Sequence, residues 1–236
     1  MVTTGWNRNG YQTESDMLDL SVRGNSKCYK WAEFPKNVEA AVGGLIGDTI
    51  LICGGGNQDD SSDECYKLDQ QTATFVTNMT AKRKYASSIV VNQKILWVTG
   101  GWNSDLDSGL ASTEYITSKG STPGPELPFA ISAHIMVAIN NDFSMLIGGQ
   151  IDKETIASTY FYDHKEQIWI SGPNMNSARR WHAAGIVTDQ GTREKLIVAS
   201  GGDIYGIKLD TTEIFYDDKW NQGNHTTSLH QAFFTA

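Results

Sequence analysis

Residues 95–101 read "ILWVTGG", an apolar run of strand length stopped by a glycine pair at Gly100–Gly101. The same ending occurs in "TILICGG" at Gly54–Gly55, "SMLIGG" at Gly148–Gly149 and "LIVASGG" at Gly201–Gly202. The second glycines are 46, 48 and 53 residues apart, and 50 residues before Gly55 stands Gly5 of the opening "VTTGW". A strand ending that returns at a fixed period of this size marks one supersecondary unit copied along the chain.

Each run has a predecessor. "EAAVGGLIGDT", "YASSIVVNQKI", "AHIMVAINNDF" and "WHAAGIVTDQG" pass from apolar residues into turn residues. They read as first arms of hairpins whose second arms end in Gly-Gly. Anchors on these arms (Glu39, Ala86, His134, His182, His230) step by 47, 48, 48 and 48 residues. After each glycine pair come a polar loop and a third strand, "DECYKLD", "ASTEYIT", "ASTYFYD" or "TTEIFYD". A fourth follows in "ATFVTN", "IWISG" and "KWNQG". Four short antiparallel strands per repeat make the blade of a β-propeller, so the expected fold is all-β and residues 1–236 form a single domain.

The chain resembles kelch-repeat proteins in its glycine pairs after apolar strands, the following Tyr-Asp in "FYDHKEQIW" and "IFYDDKW", and the tryptophan beyond. It departs from that pattern in Thr4-Gly5 and in "STPGPELP", which stands where a tryptophan strand would fall. The resemblance implies a kelch-type propeller. The chain ends bear on blade number: "LHQAFFTA" reads as a first arm and "MVTTG" as a second. Pairing residues 1–5 with residues 230–236 would close five blades, the closing blade being shared by the two terminal strands. The rival is a fragment of a larger ring. A glycine pair suits close backbone approach. Tyr115, Tyr162, Trp169 and Trp220 are expected to pack between blades.

Composition excludes several functions. A net charge of −8 argues against binding nucleic acid. No apolar run nears the roughly 18 residues of a membrane span, and "MVTTGWNRNG" does not read as a secretory leader. Of the three cysteines, Cys53 and Cys65 would lie on neighbouring strands and are placed for a disulfide. With two N-x-T sequons, at Asn78 and Asn224, they leave a cytoplasmic default and an extracellular alternative both open.

Candidate site residues fall on loops. Arg179, Arg180 and Trp181 stand 96 residues after Arg83, Lys84 and Tyr85, each triplet just ahead of an inner strand. A basic pair beside an aromatic, at the rim, suits an acidic peptide or protein partner. Trp6, Trp102 and Asn103 lie in the loops after the glycine pairs, where recognition is built on a rigid scaffold. His134, His182 and His230 read as one structural histidine copied per blade rather than a metal site, because ring-related positions diverge. No nucleophile motif or phosphate loop occurs, so no catalytic residue and no cofactor is expected.

The functional expectation is a monomeric, non-enzymatic protein-interaction module. By resemblance, such domains serve as substrate-recruiting or cytoskeletal adaptors. The alternatives are a kelch-like enzyme with a channel-mouth site and a secreted carbohydrate- or matrix-binding propeller.

Overall fold

Every apolar run that ends in a glycine pair is the second strand of a four-stranded antiparallel sheet. In this computed structural model the described residues are 6–7, 10–11, 13, 15–19, 27–188, 191 and 195–223. Blade 1 comprises Glu39–Ile46, Thr49–Gly56, Glu64–Leu68 and Ala73–Asn78, and blade 2 comprises Ser87–Val91, Ile95–Thr99, Thr113–Thr117 and Gly120–Pro123. Blade 3 is Ile135–Ala138, Phe143–Ile151, Glu154–Asp163 and Ile168–Ser171; blade 4 is Ala183–Thr188, Lys195–Ser200, Thr212–Tyr216 and Lys219–Gln222. A further pair, Asp16–Asp19 with Lys27–Lys30, precedes blade 1. All regular elements among the described residues are strands, and the arrangement is a β-propeller of four blades. The proposed pairing of residues 1–5 with 230–236 lies outside the described residues.

Tight hairpins keep the strands short. Asn92–Gln93, Asp152–Lys153 and Asp217–Asp218 all have positive φ at both positions. That conformation matches the right-handed twist of the flanking strands.

The glycine pair joins one blade to the next. All eight of its residues have φ between +55° and +110°. The second glycine's N–H donates to a carbonyl of the segment leading into the following blade: Gly55 to Arg83 at 2.9 Å, Gly101 to Ile131 at 2.8 Å, Gly149 to Arg179 at 2.7 Å. A Cβ on the first glycine would sit 2.5–2.6 Å from that same carbonyl oxygen in each case. The signature therefore marks where backbone of successive blades touches, and a side chain there would push them apart.

Apolar clusters fill the gaps between sheets. Blades 1 and 2 share Val42, Leu51, Cys53, Cys65, Leu96, Val98 and Ile116; blades 3 and 4 share Ile135, Met145, Ile147, Ile197 and Trp220. Between blades 2 and 3 the rings of Trp97 and Tyr162 are 4.9 Å apart, and Tyr162 and Trp169 another 4.9 Å, with Tyr115 at 5.8 Å from Trp97. Tyr115, Tyr162 and Trp169 thus pack between blades as the sequence suggests. Trp97, fully buried, supplies the ring that the fourth strand of blade 2 lacks. Cys53 and Cys65 face each other across blade 1 and form a disulfide.

Candidate functional site

At one end of the propeller the chain turns from each outer strand toward the central axis, and a four-residue set repeats there. In blade 2 it is Arg83-Lys84-Tyr85-Ala86, in blade 3 Ile131-Ser132-Ala133-His134, in blade 4 Arg179-Arg180-Trp181-His182. Hydrogen bonding makes Glu39, Ala40 and Ala41 the equivalents in blade 1, so the blade 1 match for Ala86 is Ala41 and not Glu39.

The third position is left-handed in all four blades: Ala40, Tyr85, Ala133 and Trp181 have φ of 53–56°. The cause is a relay of peptide bonds around the axis. Tyr85 N–H donates to Ala40 O at 3.2 Å, Ala133 N–H to Tyr85 O at 2.8 Å, and Trp181 N–H to Ala133 O at 3.1 Å. Bulky residues pay for such a conformation in strain, yet two of the four are aromatic. Tyr85 and Trp181 come from non-adjacent blades and meet across the axis with ring centroids 6.0 Å apart. Beneath them the cavity measures only about 20 Å³, lined by alanines and by His134 and His182. The channel is therefore plugged at this mouth, with room of about one water molecule.

The first position is a staple. Arg83 and Arg179 are fully buried, which corrects the expectation that they stand on the rim. The Arg83 guanidinium donates to Glu114 at 2.6 Å and to the carbonyls of Gly100 and Ser112 at 2.7 and 2.9 Å. Arg179 repeats this with Glu213 at 3.0 Å and the carbonyls of Gly201 and Thr211 at 2.8 and 3.0 Å. Burial pushes the Glu114 carboxyl upward, but hydrogen bonds from Ser121 and the Thr80 N–H, together with Arg83, outweigh it and hold the group below its ordinary value. Each arginine binds the preceding blade by its backbone and the following blade by its side chain.

The second position lines the mouth. Arg180 donates to Asp203 at 2.7 Å and to Gln150 Oε1, and its guanidinium lies 4.2 Å from the centre of the Trp181 ring. Lys84 is buried, another correction: its ammonium donates to the carbonyls of Asn57 and Gln58 at 2.7 and 3.2 Å, and so ties down the blade 1 loop. Tyr85 donates its hydroxyl to Glu39 at 3.0 Å. Asn103 is likewise buried and holds its loop, donating to Lys82 O at 3.0 Å and accepting from Leu106 N–H at 3.1 Å. Trp102 is half-buried and exchanges both backbone hydrogen bonds with Lys84. Trp6 is placed by its backbone alone, opposite Tyr11 in a small hairpin.

His134 and His182 sit one step below, fully buried. His134 Nε2 shares a hydrogen bond with the Thr99 hydroxyl at 2.9 Å. Neither ring nitrogen of His182 has a hydrogen-bond partner among the described residues. Burial drives both imidazoles down to about 3, with the Arg179 charge adding to it at His182. His230 lies outside the described residues. No three His, Cys, Asp or Glu side chains among the described residues are placed to hold a metal.

Sequence reasoning passed over Glu39, Gln150 and Asp203, and also the exposed tips beside the mouth. Leu106 is 65% exposed, and Tyr205 and Ile207 are 65% and 68% exposed on the hairpin of Asp203–Ile204 with Ile207–Lys208. Their signal was present as apolar residues inside otherwise polar loops.

Fold and mouth together define a β-propeller whose axis is capped by an aromatic pair flanked by charge. No protein-family profile matches the chain, and no curated protein matches it in sequence. Among solved structures it is similar to YjhT, with a TM-score of 0.81 and 14% identity over 97% of this chain and 84% of that one. With 204 solved chains matching in all, the likeness speaks for the fold, which many functions share.

Proposed function

We propose that the protein is a non-enzymatic interaction module whose aromatic-capped mouth receives a peptide or protein. The observation that carries this is the placement of Tyr85 and Trp181 at strained left-handed positions that alanine fills in blades 1 and 3. The fold does not ask for rings there, and strain kept against the interests of stability clusters at functional sites. The plugged channel favours a partner laid over the surface rather than a small substrate drawn inside. Tyr85, Trp181, Trp102 and the Tyr205 tip offer rigid aromatic area of the kind that dominates interfaces. Arg180, with its guanidinium against Trp181 and shared between Asp203 and Gln150, is the mouth cation suited to an acidic group of the partner.

The proposal includes the finer architecture: a kelch-type ring of five blades, supported by the spacing of the five strand endings. Cross-linking between residues 1–5 and residues 230–236 tests it, and their failure to cross-link would favour the fragment.

A second reading, an extracellular carbohydrate- or matrix-binding propeller, has one observation behind it, the closed Cys53–Cys65 bond.

The test is affinity capture with the intact chain and with Tyr85→Ala/Trp181→Ala. Partners bound by the former are expected to be absent from the latter at unchanged thermal stability. Partners retained on the double variant would refute the mouth as the binding surface.

A further inference from the structure

We propose that Asn78 carries an N-linked oligosaccharide, making blade 1 the glycosylated, disulfide-bonded edge of the propeller. The inference rests on the extracellular reading and deepens it. Three observations meet in this blade.

The first is the bridge itself. Cys53 and Cys65 are directly opposed on adjacent strands, fully buried, and joined. Joining them removes two protons and two electrons, which a thiol–disulfide oxidant must accept. Such oxidants act in the secretory compartments and are countered by reductants in the cytosol. N-glycan transfer belongs to the same compartments.

The second is the sequon Asn78-Met79-Thr80 and the way it is held. Met79 is buried, and its N–H donates to Asp63 O at 2.7 Å. The Thr80 N–H donates to Glu114 Oε2 at 2.7 Å. The backbone is thus pinned inward, while the side chains of Asn78 and Thr80 are exposed on either side of Met79. Neither the Asn78 amide nor the Thr80 hydroxyl is taken up by a side-chain hydrogen bond among the described residues.

The third is position. Asn78 ends the outermost strand of blade 1, which pairs only with Glu64–Leu68. A sugar at this point stands on the perimeter and displaces no core contact. It also shields an open strand edge, which proteins otherwise protect from pairing with other chains.

The chemistry balances with a lipid-diphosphate-linked oligosaccharide as donor. Asn78 Nδ2 attacks the anomeric carbon, the bond from that carbon to the diphosphate oxygen breaks, the lipid diphosphate leaves with the electron pair, and the amide gives up one proton. The Thr80 hydroxyl is the second recognition element of the acceptor.

The experiment is peptide mapping of the full protein isolated from its native source, with free thiols alkylated before reduction. Half the sample is treated with an N-glycanase in heavy-oxygen water. The expected result is a Cys53–Cys65 cross-linked peptide and an Asn78 converted to labelled Asp only after the enzyme. A joined cystine with bare Asn78 overturns the glycan and leaves the compartment reading standing; alkylated Cys53 and Cys65 with bare Asn78 overturn both. In secreted recombinant protein, Thr80→Ser is expected to keep the modification and Thr80→Ala to abolish it, with both variants melting like the parent after deglycosylation. A glycan that persists at Asn78 in Thr80→Ala contradicts the sequon assignment.

Discussion

Blades 2 and 4 approach the axis through Arg-Lys-Tyr and Arg-Arg-Trp, whereas blade 3 approaches it through Ile131-Ser132-Ala133. The backbone is the same in all three: the glycine pair of the previous blade bonds the first residue's carbonyl, and the third residue is left-handed. What differs is the side chains. Where blades 2 and 4 bury an arginine against Glu114 and Glu213, blade 3 buries Ile131 in the cluster of Trp97, Leu127, Met136 and Leu146, and Tyr160 stands in the glutamate's place. The junction can therefore be apolar or ionic. The mouth side chains, absent from blade 3, are not demanded by the fold at all.

The comparison breaks first at the ion pairs. Glu114→Ala and Glu213→Ala each leave a fully buried arginine unpaired, and each is expected to cost about 3–5 kcal/mol in chemical denaturation. Replacing both partners, as in Arg83→Met/Glu114→Leu, imitates blade 3 and is expected to recover most of that loss. If the double variant is no better than Glu114→Ala, the two kinds of junction are not interchangeable.

The backbone half of the junction should be indifferent to this distinction. Gly100→Ala faces the carbonyl of Ile131 and Gly148→Ala that of Arg179, at 2.6 Å from the added Cβ in both. Each is expected to cost on the order of 1–3 kcal/mol, from the left-handed φ and the displaced carbonyl. Melting temperatures that separate widely between the two would show that the side chain, and not the shared backbone contact, sets the cost.

Acid sharpens the comparison from another side. His134 and His182 are held neutral, near 3 in the folded protein against about 6.5 for a free imidazole. The unfolded chain takes up the proton first, so stability is full above about pH 6.5 and declines as pH falls toward about 3. Glu114, held below its ordinary value by its partners, adds a loss at the acid end of the same window. Melting temperature followed from pH 7 to pH 4 should fall in the parent and fall less steeply in His134→Leu. A flat parent profile would contradict the neutral, buried assignment.

The smallest effect on stability is expected at the mouth. Tyr85→Ala and Trp181→Ala install the residue that blades 1 and 3 already carry at the same φ, and each should change stability by about 1 kcal/mol or less. Calorimetry showing a loss above about 3 kcal/mol would make the rings structural.

The repeat was legible because close backbone approach allows nothing but glycine there, and because an apolar strand must precede it. The interblade aromatics were legible for a similar reason, although Trp97 hid inside the strand used to find the repeat. The fates of Arg83, Lys84 and Arg179 were not legible from local pattern. Their partners lie far away in sequence, Glu114 at 31 residues from Arg83 and Glu213 at 34 from Arg179. A trace did exist: the glutamate one residue into the third strand in "STE" and "TTE" gives way to Tyr160 in the repeat where arginine gives way to Ile131. Glu64 breaks the rule in blade 1, pairing with Lys36 and Tyr66 instead. Asp203 and Gln150 were hidden because only the ring geometry brings their loops to Arg180.

The division of Arg179 from Arg180 gives the sharpest test of the mouth as the binding surface. Binding of the captured partner would be titrated against Arg179→Met/Glu213→Leu, which alters only the buried junction, and against Arg180→Ala/Trp181→Ala, which strips the mouth. Parent-like affinity for the first and a loss of at least tenfold for the second is the predicted result. Parent-like affinity for both would contradict the central claim.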